Sequence, residues 1–261
     1  MSLNLRVDLN ADLGEGSPAD EALLERVTSA SIACGGHAGD AATMLRTVRA
    51  AKARGVRVGA HPGYEDREHF GRRALHLPPG EVRALVARQV GALATICDSE
   101  GVPLAHVKPH GALYNQAAAD AGIAAEIIAS VMDSPLPGDG REPVARKHPV
   151  LIFAPPSSAL ARLAEEHGLP VCAEVFADRR YRADGSLATR DQPGALIESP
   201  EDMCAQVLGI LRERRVRTLE GSWLALHGDT VCLHGDGPHA LAFARTLRRA
   251  LQKEGVTIAA P

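Results

Sequence analysis

Aromatic residues are almost missing: Phe, Tyr and Trp together make up 3% of the 261 residues. The core must therefore be built from Leu, Val, Ile and Ala, and the apolar share is still an ordinary 45%. Cysteine is sparse too. The five (Cys34, Cys97, Cys172, Cys204, Cys232) are odd in number and widely spaced, with no Cys-x-x-Cys pair, which argues against a disulfide framework and a zinc ribbon. A basic excess is lacking. The net charge of −3 leaves no electrostatic footprint for nucleic acid or an anionic membrane. No run approaches the roughly 20 apolar residues that cross a bilayer. Asp8 and Asp12 stand where a signal peptide would need its apolar stretch. A cytoplasmic protein is the expectation. Three motifs are absent as well: a Gly-x-Gly-x-x-Gly after a strand, a Walker loop and a His-Glu-x-x-His helix, so a dinucleotide fold is the weaker choice.

Two hydrophobic periods alternate along the chain. Leu3, Leu5, Val7 and Leu9 alternate with Asn4, Arg6, Asp8 and Asn10, which predicts a strand. Leu23, Leu24 and Val27 predict a helix within 19–29, and Ser31–Cys34 a second strand. Asp40 is the expected N-cap of a helix that buries Met44, Leu45, Val48 and Ala51 and stops at Gly55. A third strand is predicted over 56–60. Pro78-Pro79-Gly80 opens the strongest helix, whose inward face from Val82 to Ile96 has one polar member, Gln89. Further strands are predicted at Leu104–Val107, 150–154, 171–175 and 256–259, with two late apolar runs, Trp223–Leu226 and Thr230–Leu233. Ser199 and Pro200 mark a helix start, and the arginines of 212–217 are read as a solvated helix end. The 133–149 stretch reads as an exposed loop. Strands and helices alternate about seven times without a composition break. That predicts one α/β domain over 1–261 with a parallel sheet, and a closed β/α barrel because polar residues follow so many strands.

Lys108 and His110 would leave their strand end on one face, with Gly111, Tyr114 and Asn115 next. The same rim is expected to gather Asp8, Asn10, Asp12, His37, His61, Glu174, His234 and Asp236. Any one of these could serve only a turn. Together they are harder to dismiss, because burying charge without a task costs stability. A carboxylate or imidazole can activate water, while Lys108 can stabilise an oxyanion or position a phosphate. The same residues could hold a divalent metal through Asp12, His37 and His61. His227-Gly228-Asp229 duplicates His234-Gly235-Asp236, and the later copy is favoured because it ends an apolar run and opens a helix. His106 is expected to be a core histidine, and Cys34 a small buried residue without a base to activate it.

Six ordered motifs carry a family resemblance: Asp8 to Gly16, Ile32 to Asp40, Gly59 to Tyr64, Lys108 to Asn115, Glu174 to Arg179 with Tyr181 and Arg190, and Asp229 to Asp236. The chain resembles the LamB/YcsF family from about Leu5 to its C-terminus. The resemblance implies a distorted seven-stranded parallel β/α (TIM-like) barrel of the glycoside hydrolase/deacetylase type. It further implies the role of the A component of an ATP-dependent 5-oxoprolinase: 5-oxo-L-proline, ATP and water give L-glutamate, ADP and phosphate, with partner subunits B and C. On this reading Asp12, His37, His61, Lys108, His110 and Glu174 do the chemistry. Asp8, Asn10, Arg72, Tyr114, Asn115, Arg190, His234 and Asp236 contact substrate. ATP is a co-substrate, and a divalent metal stays open. The alternatives are a metal-dependent carbohydrate deacetylase on the same barrel and a non-enzymatic lactam-binding regulator. The stretch Glu65 to Arg73 departs from the shorter Pro-Asp and Gly-Phe-Gly-Arg-Arg pattern common in that family, and the 133–149 loop is longer than usual there.

Overall fold

Alternating apolar and polar residues force the first strand to show two different faces, and the molecule uses both. The computed structural model describes residues 5–133, 149–234 and 240–261. Strands β1 (Arg6–Leu13), β2 (Ser29–Ala33), β3 (Arg57–His61), β4 (Leu104–Val107), β5 (Leu151–Ala154) and β6 (Val171–Phe176) come first. A short pair, β7 (Arg215–Arg217) and β8 (Trp223–Ala225), precedes β9 (Thr230–His234) and β10 (Thr257–Ile258). The helices are α1 (Asp20–Leu24), α2 (Ala41–Ala53), α3 (Glu81–Ser99), α4 (Gly111–Ala119), α5 (Ala121–Asp133), α6 (Ala159–Glu166), α7 (Pro200–Glu213) and α8 (Ala240–Lys253). Strands β1 to β6 pair in sequence, all parallel, and β9 bridges β6 back to β1. The result is a closed seven-stranded TIM-like barrel, as the sequence predicts. β10 lies outside it against the start of β1.

Leu9, Ala11 and Leu13 are fully buried and face outward to the helices, while Asp8, Asn10 and Asp12 point into the barrel. The α3 face of Val82, Leu85, Val86, Val90 and Leu93 is buried as expected, each side chain contributing roughly 1.5–3 kcal/mol. The polar exception has a task. Gln89 accepts from Gly63 N at 3.0 Å and donates to Gly63 O at 2.7 Å, which splints the loop leaving β3.

The expected caps at Asp40 and Ser199 are formed, each side chain accepting from a backbone N–H three residues on. Three readings need correction. The 19–29 helix is only α1, because the chain must already be extended at Ser29 to pair with Asn10. The 212–217 arginines do not end a helix: α7 stops at Glu213, Arg214 turns with φ 53°, and Arg215–Arg217 pair antiparallel with Trp223–Ala225. There Arg215 sits over the Trp223 ring at 4.2 Å. Helix α4, which presents Tyr114 and Asn115, was not anticipated. The longer loop expected over 133–149 falls almost wholly outside the described residues. Among the described residues no helix is long and apolar enough to cross a membrane.

His106 is a core histidine, stacked on Phe153 at 4.0 Å and 3.0 Å from Ser31 Oγ. Gly59 makes room for it, since a Cβ there would lie 2.1 Å from His106 Nε2. Gly59→Ala should therefore destabilise the fold by about 3 kcal/mol, the upper range for overpacking. The shift in urea midpoint measures it.

Candidate active site

Hydrogen bonds join the inward residues of β1 into a ladder along the barrel axis. At the bottom, Asp8 accepts from Thr28 Oγ1 (2.6 Å), Ser29 Oγ (2.8 Å) and Thr230 Oγ1 (2.6 Å). Burial raises its pKa despite those hydroxyls. One step up, Asn10 Nδ2 donates to Thr230 Oγ1 at 2.7 Å and to Glu174 Oε1 at 3.0 Å. At the top, Lys108 Nζ lies 2.7 Å from Asp12 Oδ1, 2.8 Å from Glu174 Oε1 and 3.1 Å from Cys232 Sγ. Burial works against the ammonium, yet Asp12, Cys232 and Glu174 outweigh it and hold the Lys108 pKa well above the usual lysine range. Burial likewise opposes the Asp12 carboxylate, but His61 and Lys108 beside it hold its pKa well below the ordinary value.

His61 ends β3 and His110 follows β4, and each is oriented by a backbone carbonyl. His61 Nδ1 lies 2.8 Å from Lys108 O, and His110 Nε2 lies 2.9 Å from Phe70 O. That second carbonyl comes from the loop in which the chain departs from the family pattern. Phe70 is left-handed there, with φ 54°, a conformation disfavoured for a residue with a Cβ. His37 stacks on His110 at 3.6 Å and lies 2.9 Å from Glu15 Oε1. Burial and the neighbouring His61 push the His37 pKa down to about 2 and that of His110 well below its usual value.

A cavity of about 360 Å³ opens above this ladder. Asp12, His61, Lys108 and His110 line its floor, and Arg72, Tyr114, Asn115, Arg179, Arg190 and His234 its wall. Of the six expected catalytic side chains, four reach the cavity. His37 packs behind His110, and Glu174 lies beneath Lys108 with its Oε2 buried. The Tyr114 hydroxyl is buried too, and burial together with Glu174 keeps its proton on well beyond the usual phenol range. Five of the expected substrate contacts (Arg72, Tyr114, Asn115, Arg190, His234) line the cavity. Asp8 and Asn10 do not: they stand four and two residues below Asp12, roughly 13 Å and 7 Å along the strand, and are satisfied inside the barrel. Asp236 lies outside the described residues. The earlier copy, Asp229, is structural and accepts from Ala173 N at 3.0 Å.

Three residues were missed: Glu15, Asp178, which holds His234 Nδ1 at 2.9 Å, and Arg179. All sit in the quoted motifs, and their strand-end position was the available signal. Among the described residues, two groups of donor atoms could hold a cation: Glu15 with His37, His61 and His110, and Asp12 with Cys232 and His234. In the second, the Lys108 ammonium already contacts both Asp12 and Cys232. A larger groove of about 680 Å³ runs beside the β7–β8 pair, but none of the strand-end residues above reaches it.

A family model described as the LamB/YcsF family matches residues 7–261. The chain is similar to a lactam utilization protein from Thermus thermophilus, at 40% identity over 98% of this chain and 100% of that one, with a TM-score of 0.86. Looser likenesses include a family 4 carbohydrate esterase from Streptomyces lividans, seen in complex with acetate (15% identity, 98% and 93% covered, TM-score 0.47). A polysaccharide deacetylase from Bacillus cereus is comparable (16% identity, 98% and 92% covered, TM-score 0.46). These two say nothing of the chemistry of this chain.

Proposed function

The chain belongs to the LamB/YcsF family, and from that membership we propose that it is the A component of a cytoplasmic, ATP-dependent 5-oxoprolinase working with subunits B and C. The observation that carries the reading is the Lys108 ammonium, buried between Asp12 and Glu174 under a cavity walled by three arginines. The 40% identity to a lactam utilization protein supports the substrate class. The cavity volume of about 360 Å³ is near the lower end of small-molecule sites, which suits a five-membered lactam acid.

A lactam carbon is a poor electrophile, and ATP overcomes this by phosphorylating the lactam oxygen. Water then adds to the carbon and gives up its proton to the ionised Asp12. The adduct's hydroxyl gives its proton to the ring nitrogen as the C–N bond breaks, and the nitrogen leaves as an amine. A second water releases phosphate from the resulting acyl phosphate and yields glutamate. Lys108 stabilises the negative oxygens throughout, since a desolvated cation is worth far more there than in water. Arg72, Arg179 and Arg190 orient the carboxylate and phosphate, for which guanidinium geometry is apt.

Glutamate release from 5-oxoproline and ATP, with and without subunits B and C, tests the reading. Activity should require this protein and its partners together. Equal glutamate release by the partners alone would overturn it, and acetate release from an N-acetylated sugar would replace it with the deacetylase reading. Arg190→Ala should raise KM for 5-oxoproline about 10- to 100-fold with little change in kcat, as expected for losing a charged hydrogen bond.

A further inference from the structure

The two histidines oriented by carbonyls create an electrostatic conflict. A carbonyl oxygen only accepts, so His61 Nδ1 and His110 Nε2 each carry a proton. In neutral rings the opposite nitrogens then present lone pairs. Those two, His61 Nε2 and His110 Nδ1, face each other at 2.9 Å. Bare lone pairs at that separation repel, so the point they share calls for a positive charge. Glu15 Oε1 closes on the same point, 3.4 Å from His110 Nδ1, 3.7 Å from His61 Nε2 and 2.9 Å from His37 Nε2.

We propose that His61, His110 and Glu15 form a binding site for a divalent first-row transition metal at the cavity floor, with His37 stacked on His110 and holding Glu15 in place. The separations among these three donors, 2.9, 3.4 and 3.7 Å, bracket about 3.3 Å, the edge of a tetrahedron with metal–nitrogen bonds of about 2.0–2.1 Å. Two imidazoles with one carboxylate suit zinc, cobalt or nickel, whereas magnesium and calcium take oxygen donors. The far N–H of a metal-bound histidine commonly donates to a carbonyl or carboxylate, as His61 and His110 do here. Backbone approach completes the cradle. A Cβ on Gly63 would lie 2.7 Å from His37 Nδ1, and one on Gly71 2.8 Å from His37 Cβ, so only glycine lets these loops close over the ring. Of the trio named from the sequence, Asp12 gives its Oδ1 to Lys108 and His37 stacks on His110, so Glu15 and His110 join His61 instead. When bound, such an ion polarises a carbonyl or a water in the cavity.

The competing occupant is one proton shared by His61 and His110 and balanced by Asp12, whose Oδ2 is 3.4 Å from His61 Nε2. Metal binding separates the two, whether or not the protein makes glutamate. Tag-free protein, stripped with chelator and titrated with Zn²⁺ or Co²⁺, should take up one equivalent per chain at sub-micromolar affinity. His61→Ala and His110→Ala should each weaken binding by at least about 100-fold, and Glu15→Gln by about 10- to 100-fold, with circular dichroism confirming the fold. Cys232→Ser should leave the stoichiometry unchanged. X-ray absorption at the metal edge of the wild-type protein, which needs no variant, should count at least two imidazoles. Binding no tighter than about 1 mM, unchanged affinity in His61→Ala, or fewer than two imidazoles would overturn the site.

Discussion

Lys108→Met is expected to abolish turnover, lowering kcat/KM for 5-oxoproline by about 10³ or more, the scale of losing one preorganised oxyanion donor. The same change should destabilise the fold by about 3–5 kcal/mol, because it strands two buried carboxylates without their cation. Asp12 and Glu174 stand 2.7 and 2.8 Å from that nitrogen, and without it one of them must take up a proton. Lys108→Arg should not rescue activity, since a planar guanidinium cannot occupy the point at which Asp12, Glu174 and Cys232 converge. Kinetics on the folded fraction, with melting followed by circular dichroism, separates the two effects. A folded Met variant within tenfold of wild type would remove Lys108 from the mechanism.

Acid should weaken the fold before its exposed carboxylates titrate, with Asp8, whose pKa burial raises, taking up its proton early and pulling the other way. His37 and His106 are buried, and their pKa values are pushed down to about 2 and about 3 from 6.5. Below pH 6.5 the unfolded chain binds protons at both positions and the native state does not, so stability falls as pH falls. Two such groups remove about 5 kcal/mol between pH 6.5 and pH 4.5, a large part of the usual stability of a domain. The Asp12 carboxylate, held below its ordinary 3.8, contributes above that value and so stays constant across this window. The same is true of Lys108, whose stabilisation is lost only as pH rises through a pKa above the lysine range. Urea titrations at several pH values, with chelator present, measure the slope. A stability that stays flat down to pH 4.5 would show that these histidines are charged in the native state. His106→Asn should reduce the slope by one proton.

The barrel was legible in the sequence because its two periods are clean: strand alternation in Leu3 to Asn10, and helical spacing across Val82 to Ile96. The rim was legible because charged residues followed the strands. What the sequence could not show is depth. Asp8, Asn10 and Asp12 lie on one strand face with the same alternation, and only closure of the ring puts the first two inside it. Helix α4 was hidden because Gly111 opens it and Asp120, four residues past Gln116, ends it, so its apolar face is short. Glu15 looked like one more polar residue of a glycine-rich turn. Its meeting with His37, 22 residues on, depends on β1 and β2 lying side by side.

Barrel closure also sets an order on synthesis. Thr230 Oγ1 reaches Asp8 across 222 positions of chain, and β9 is the strand that joins β6 to β1. A chain still on the ribosome therefore carries an open sheet with both margins bare until residue 234 has emerged, and Asp8 and Asn10 wait without Thr230. Long-range closure of this kind is slow, and unpaired strand margins invite association with other chains. The same late strand that completes the interior thus makes the nascent polypeptide a natural client for a chaperone, and makes any message truncated before β9 a source of aggregate.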